Sequence, residues 1–174
     1  MLRGSGCKVT HDPVGGTAPT TGLGPVDRVN SGTPVDPNTY KFEAWTQNGP
    51  LVPAEDVAFR SPSGNITCTW GHPASDRLLC DVNAKAAPAA SQSTDCGPIS
   101  FIENYASLTP SEVKHGLCTG GILVPLDANT LPYGSSLTYN GYGCISEESG
   151  ITCVAFSTGR GFTASKGTIE PYAP

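Results

Sequence analysis

Apolar and polar residues alternate over short runs along this chain, and almost nowhere at a helical period. Ile66, Cys68 and Trp70 fall on one side of a segment whose other side carries Asn65, Thr67 and Thr69. That is the period-two signature of a half-buried strand. Val57 and Phe59 alternate just before it, and Leu78, Cys80 and Val82 just after it. Ser61-Pro-Ser-Gly64 and Gly71-His-Pro-Ala-Ser-Asp76 separate these three runs with turn residues. Further on, Leu137–Tyr139 and Tyr142–Cys144 flank Asn140-Gly141, a pair suited to the positive φ values of a type I′ hairpin turn. Glu147–Gly150 turns into Ile151–Phe156, and Thr158-Gly-Arg-Gly161 turns into Phe162–Ser165. The C-terminal part therefore predicts a meander of four short strands.

The remaining segments carry weaker patterns. Ala84–Ser93 is Ala-rich but broken by Pro88 and reads as a loop. Ile99–Leu108 suits a strand or a short helix. Thr109-Pro-Ser-Glu112 has the look of a helix start, with Thr109 as cap and Pro110 at the first position. Leu117–Val124 predicts the next strand, and Leu131-Pro-Tyr-Gly134 a turn. Near the N-terminus, Tyr40 and Phe42 alternate with charged residues and Trp45 follows. This segment reads as an edge strand clasping the core, or as aromatic anchors for a partner. Residues 1–37 show no hydrophobic period and break at Gly and Pro every few positions. They read as a flexible tether, because so little apolar area cannot offset the entropy of ordering it. The expected organisation is a lipid anchor and tether over 1–37, an aromatic docking segment or clasp over 38–55, and a disulfide-linked β domain over 56–174. The fold class is all-β and mainly antiparallel: a small disulfide-stapled β-sandwich or partly open barrel of short hairpins, with an extended N-terminal tether.

Composition reinforces this reading. In 174 residues there are 21 Gly and 16 Pro, while aromatics make up 7% and charged residues 14%. Such a chain favours turns over helices. The net charge is −5 and Lys and Arg form no cluster, so no nucleic-acid partner is expected. No apolar stretch approaches the roughly 18 residues of a membrane-spanning helix.

Cysteine usage sharpens the picture. Of seven cysteines, Cys68, Cys80, Cys96, Cys118, Cys144 and Cys153 lie in the β domain, and no Cys-x-x-Cys occurs. Separated cysteines in even number suit a disulfide framework made in an oxidising compartment. Two of them close related segments: Ser61-Pro-Ser-Gly-Asn-Ile-Thr-Cys68 returns as Ser146-Glu-Glu-Ser-Gly-Ile-Thr-Cys153. Hairpin neighbours suggest Cys68–Cys80 and Cys144–Cys153, leaving Cys96–Cys118, with crossed pairs open on loop geometry alone. Cys7 stands apart. Small residues Ser5-Gly6 precede it, as before a bacterial lipoprotein cysteine, and a Gly- and Thr-rich segment follows. Gly4 stands where such a signal usually has Leu, and no apolar segment precedes it. Lipid attachment at Cys7 is expected; a free thiol or an intermolecular link is the other reading.

Motifs for catalysis are missing. Gly-x-Ser-x-Gly, His-Glu-x-x-His and the phosphate-binding Gly-rich loops do not occur. His11, His72 and His115 have no companion motif. Glu147 and Glu148 are neighbours on a turn, where two carboxylates point apart and do not make a glycosidase pair. Arg160, between two glycines, offers a cationic grip for a partner or simply solvates its turn. No catalytic residue, metal site or cofactor is expected.

Several of these blocks together resemble a known family. Phe59-Arg-Ser-Pro-Ser-Gly-Asn-Ile-Thr-Cys68, Leu131-Pro-Tyr-Gly134, Cys144-Ile-Ser146 and Gly150-Ile-Thr-Cys-Val-Ala-Phe-Ser-Thr-Gly-Arg-Gly-Phe162 are similar to an actinobacterial family of small secreted proteins and lipoproteins, grouped as a domain of unknown function. The resemblance spans about residues 57 to 172. The family's usual Thr-Gly-His-Gly-Phe is Thr158-Gly-Arg-Gly-Phe162 here. The resemblance implies an extracytoplasmic protein with disulfides and brings no active residues.

The expected function is a non-enzymatic cell-envelope lipoprotein, held at the outer face of the membrane through lipid at Cys7 or secreted. It would act as a protein-interaction module, an accessory subunit of a membrane protein complex, with Tyr40, Phe42, Trp45 and Arg160 as partner contacts. One rival is a cell-wall carbohydrate-binding module stacking sugars on Trp70, Tyr133, Tyr139 or Tyr142. The other is a hydrolase with a dispersed site around His72 or His115.

Overall fold

Side chains that alternate inward from two facing β-sheets build one shared core. The computed structural model describes residues 22–46, 49–70, 76–82, 96–119, 124–125 and 127–174, with only the backbone described over 43–46 and 49–55. One sheet runs β1 (Thr33–Pro34), β9 (Ser135–Tyr139), β10 (Tyr142–Glu147), β11 (Gly150–Ala155), β12 (Gly161–Ser165), β13 (Thr168–Tyr172). The other runs β2 (Lys41–Thr46), β3 (Gly49–Arg60), β4 (Ile66–Trp70), β5 (Leu78–Val82), β6 (Ser100–Leu108), β7 (Val113–Thr119), with β8 (Asn129–Thr130) beside the end of β3. Among the described residues, only β1 on β9 and β8 on β3 pair in parallel. Neither sheet closes on itself, so the architecture is a sandwich and not a barrel.

The inward face of β4 is Ile66, Cys68 and Trp70, and that of β5 is Leu78, Cys80 and Val82. From the facing sheet come Leu137, Tyr142, Cys144, Ile151, Cys153, Ala155 and Phe162. Phe59 and Trp70 pack with ring centroids 5.5 Å apart and planes tilted by 43°. Each fully buried large side chain of this kind contributes about 1.5–3 kcal/mol. The disulfides join Cys68 to Cys80, Cys96 to Cys118 and Cys144 to Cys153. Their sequence separations of 12, 22 and 9 residues correspond to about 2.5–3.5 kcal/mol each in the chain-entropy account.

Several expectations change. Residues 25–37 belong to the fold and not to a tether. Pro25–Ser31 forms a short helix, α1, with Pro in its first turn and Gly32 at its end. Its Val29, 1% exposed, packs with Ile145 and Val154 on the outer face of the sheet. A side chain at Gly143 would meet Phe156 and Val29, so this glycine is what lets the helix lie so close. The first residues of 38–55 pack on the sandwich. Tyr40 ends a 3₁₀ turn (Pro37–Tyr40), is 6% exposed, joins the core, and donates a hydrogen bond to the Thr130 carbonyl at 3.3 Å. Lys41–Thr46 is then an edge strand on β3. Thr109–Glu112 starts no helix: the Thr109 hydroxyl accepts from the Glu112 amide at 3.1 Å and closes the β6–β7 hairpin. Residues 100–108 are strand throughout, and the following strand begins at Val113, four residues before Leu117. The C-terminal meander has five strands. Lys166 and Gly167 both adopt positive φ (43° and 82°) and turn the chain into β13. At the hairpin expected from sequence, Asn140 and Gly141 have φ values of 47° and 82°.

Candidate binding cleft

Because antiparallel strands alternate in direction, the β3–β4, β10–β11 and β12–β13 turns emerge at one end of the sandwich. There they enclose an open cleft of about 110 Å³. It is lined by Ser61, Ser63, Asn65 and Ile66 from one sheet, by Glu147–Gly150 and Ser165–Lys166 from the other, and by Tyr133. The two copies of the repeated segment thus face each other across one small space.

Local chemistry makes each wall rigid. In the first turn the Gly64 amide donates to the Ser61 carbonyl at 2.8 Å, with Gly64 at φ 71°. The Ser61 hydroxyl receives the Ile66 amide at 3.2 Å and lies 3.0 Å from the Ser63 hydroxyl. Tyr133 sits in a turn closed by the Ser135 amide on the Pro132 carbonyl at 3.1 Å. The Gly134 amide donates to the Ser146 carbonyl at 2.7 Å and fixes this turn beside the end of β10. Glu147 is bound to Arg28 of α1 in a charge-assisted hydrogen bond, half-buried on both sides. At Gly150, with φ 143°, a Cβ would collide with the Ala164 carbonyl.

What remains for a ligand is a mixed set. Among the described residues, the Asn65 amide, the Glu148 carboxylate, the Ser149 hydroxyl and the Lys166 ammonium have no partner, and the Tyr133 ring is 45% exposed. Among the described residues, no histidine or cysteine lines the cleft. Of the two glutamates, Glu147 is ion-paired with Arg28. The volume is well below the roughly 300 Å³ at which enclosed small-molecule sites begin.

The other candidate residues scatter. Trp70 is 1% and Tyr142 2% exposed, so neither is a stacking platform. The Tyr142 hydroxyl donates to the Asp76 carbonyl at 2.9 Å, and burial, helped by the Asp76 charge, pushes it up to about 12. Tyr139 is half-buried against the core. Tyr40 is core and Phe42 is half-buried, so neither is an exposed docking anchor. Arg160 lies on the β11–β12 turn, at the opposite end from the cleft, half-buried. His115 is exposed on β7 opposite Ala106. Cys7, His11, His72 and the Trp45 side chain lie outside the described residues.

The sulfurs of Cys68, Cys80 and Cys153 approach one another closely enough to suggest metal ligation. Each is held in a disulfide, which leaves no thiolate to bind a metal. Sequence reasoning named Tyr133 among four aromatics and set Glu147 and Glu148 aside as turn neighbours that make no glycosidase pair. It missed that these residues line one cleft together with Asn65 and Lys166. The repeated Ser-Gly turns were the one signal pointing there.

Disulfides of this number and burial place the chain in an oxidising, extracytoplasmic setting. No helix among the described residues is long and apolar enough to cross a membrane. Comparison with protein-family models, curated proteins and solved structures finds no match.

Proposed function

We propose that this chain is a non-enzymatic binding module of the cell envelope, anchored through lipid at Cys7 and working outside the cytoplasm. The observation that carries the reading is the cleft: turns held by backbone hydrogen bonds, polar side chains left without partners and an exposed aromatic residue, gathered at one end of the sandwich. Such a site is suited to holding a ligand. The resemblance to secreted actinobacterial proteins and lipoproteins points the same way. Docking through Tyr40 loses support, since Tyr40 is buried in the core. Recognition of an envelope component at the cleft gains it.

The test is association with isolated cell envelopes. Wild-type protein, without its lipid, is expected to sediment with them, and a Tyr133→Ala/Asn65→Ala variant to stay in the supernatant with an unchanged circular dichroism spectrum. Equal sedimentation of both, or none of either, overturns the cleft as the binding site. The intact mass of the native protein reports separately on the lipid at Cys7.

A further inference from the structure

We infer that the cleft is a subsite for one ring of an uncharged glycan, the chain of which runs on across its open mouth. This rests on the binding-module reading and names the ligand class for it. A sugar ring has an apolar face of C–H groups and an edge of adjacent hydroxyls that both donate and accept hydrogen bonds. The cleft offers the matching halves. Tyr133 presents a ring that is 45% exposed, an aromatic face with a polar tip. Around it stand an amide with donors and acceptor (Asn65), a carboxylate acceptor (Glu148) and a hydroxyl of either sense (Ser149). A protein side chain laid in the same place would leave several of these groups unmatched.

Charge narrows the class further. Glu147 is neutralised by Arg28, and the remaining Glu148 and Lys166 are opposite in sign. The cleft therefore has no net charge with which to attract a polyanion, and the molecule as a whole, at −5, repels one. Uronate- or phosphate-bearing polymers are disfavoured on both counts. Size narrows it too. A space of about 110 Å³ is on the scale of a single ring and too small for a longer stretch of polymer, and the cleft is open to solvent. The walls are turns fixed by backbone hydrogen bonds, so little ordering is needed on binding.

The test is affinity electrophoresis of the folded protein through native gels containing a neutral mannan, a neutral β-glucan or a neutral arabinogalactan, with polygalacturonate as the acidic control. Retardation is expected in at least one neutral gel and not in the acidic one. Tyr133→Ala should weaken the apparent association about tenfold, Tyr133→Phe should retain it, and Asn65→Ala should weaken it several-fold. Tyr133 and Asn65 are surface residues, so the variants keep the wild-type melting temperature. Retardation in no neutral gel, retardation only by the polyanion, or retardation indifferent to Tyr133→Ala overturns the inference. So does a photo-crosslinker at position 133 that captures an envelope protein and no glycan. Where wild-type protein still sediments with envelopes, such a result removes the ligand class and leaves the binding module. Where it does not, both fall.

Discussion

The sulfurs of Cys68 and Cys153 lie within 4.8 Å of each other, one contributed by each sheet. These are the cysteines that close the two repeated Ser-Gly-Ile-Thr-Cys segments, and they meet at the centre of the sandwich. Yet the copies are not equivalent. Cys68 is bridged forward to Cys80 on β5, while Cys153 is bridged back to Cys144 on β10. The sheets are thus stapled internally, and the two staples pack against one another without a covalent link between sheets.

That proximity makes a specific exchange reaction available. In Cys80→Ser the Cys68 thiol is left beside the Cys144–Cys153 bridge. Its thiolate can attack the Cys153 sulfur, forming Cys68–Cys153 and releasing the Cys144 thiolate, with no net oxidation. Burial opposes thiolate formation, so the reaction needs alkaline pH and mild denaturant. Peptide mapping without reductant is expected to find a Cys68–Cys153 cross-link and alkylated Cys144. The Cys68→Ser/Cys80→Ser variant should keep Cys144–Cys153 alone. Finding only the original bridge in the single variant would show the two staples to be insulated from each other.

The third bridge differs in access. Cys118 is exposed on edge strand β7 and Cys96 is half-buried, whereas the other four bridged cysteines are 0% exposed. Reductant and alkylating agent reach a sulfur at a rate set by its exposure as well as its chemistry. Limited dithiothreitol treatment of the folded protein, followed by alkylation and mass spectrometry, should label Cys96 and Cys118 first. The other four should react only as the protein unfolds. Removing the exposed bridge is expected to cost about 3 kcal/mol by denaturant titration.

The strand faces were legible because they are local. Ile66, Cys68 and Trp70 alternate strictly, and the side they point to is the core. Asn140-Gly141 was legible because its positive φ values follow from the residues themselves. The pairing of Cys68 with Cys80 and Cys144 with Cys153 followed from strand adjacency. The cleft had no such local signature. Ser61–Ile66, Tyr133, Glu147–Gly150 and Ser165–Lys166 are brought together only by the stacking of one sheet on the other. Helix α1 was hidden for a related reason. Its apolar face is just Val26 and Val29, too few to show a period, and the groove that receives it depends on Gly143 on a strand far along the chain.

That groove predicts how the N-terminal segment is held. A Cβ at Gly143 would lie 2.6 Å from the Phe156 ring and 2.8 Å from the Val29 side chain. Gly143→Ala is therefore expected to destabilise by about 1–3 kcal/mol, through displacement of α1. Arg28→Ala removes one partner of a Glu147 carboxylate that is only 14% exposed, and should cost about 1–3 kcal/mol. In both variants limited proteolysis should cut within residues 22–36 sooner than in wild type, with the sandwich intact. Global unfolding without earlier cleavage would mean that α1 is not a separate docking unit.

Asp81 offers a test by pH. It points away from the core of the sandwich, beside Leu79 and opposite Tyr105 in a second apolar group. Its Oδ1 is buried with no hydrogen-bond partner among the described residues, and burial raises the carboxyl above its usual value. The folded state thus binds the proton more tightly than the unfolded one. Stability from this group is fully present below the ordinary carboxylate pKa of about 4 and is lost as pH rises through the raised folded value. Asp81→Asn keeps the shape and removes the charge that costs stability above that window. Its melting temperature should exceed that of wild type at pH 7, and the difference should vanish near pH 3. A gap that is independent of pH would show that the charge on Asp81 is not what matters there, and a lower melting temperature at pH 7 would show that the carboxylate is favourably solvated.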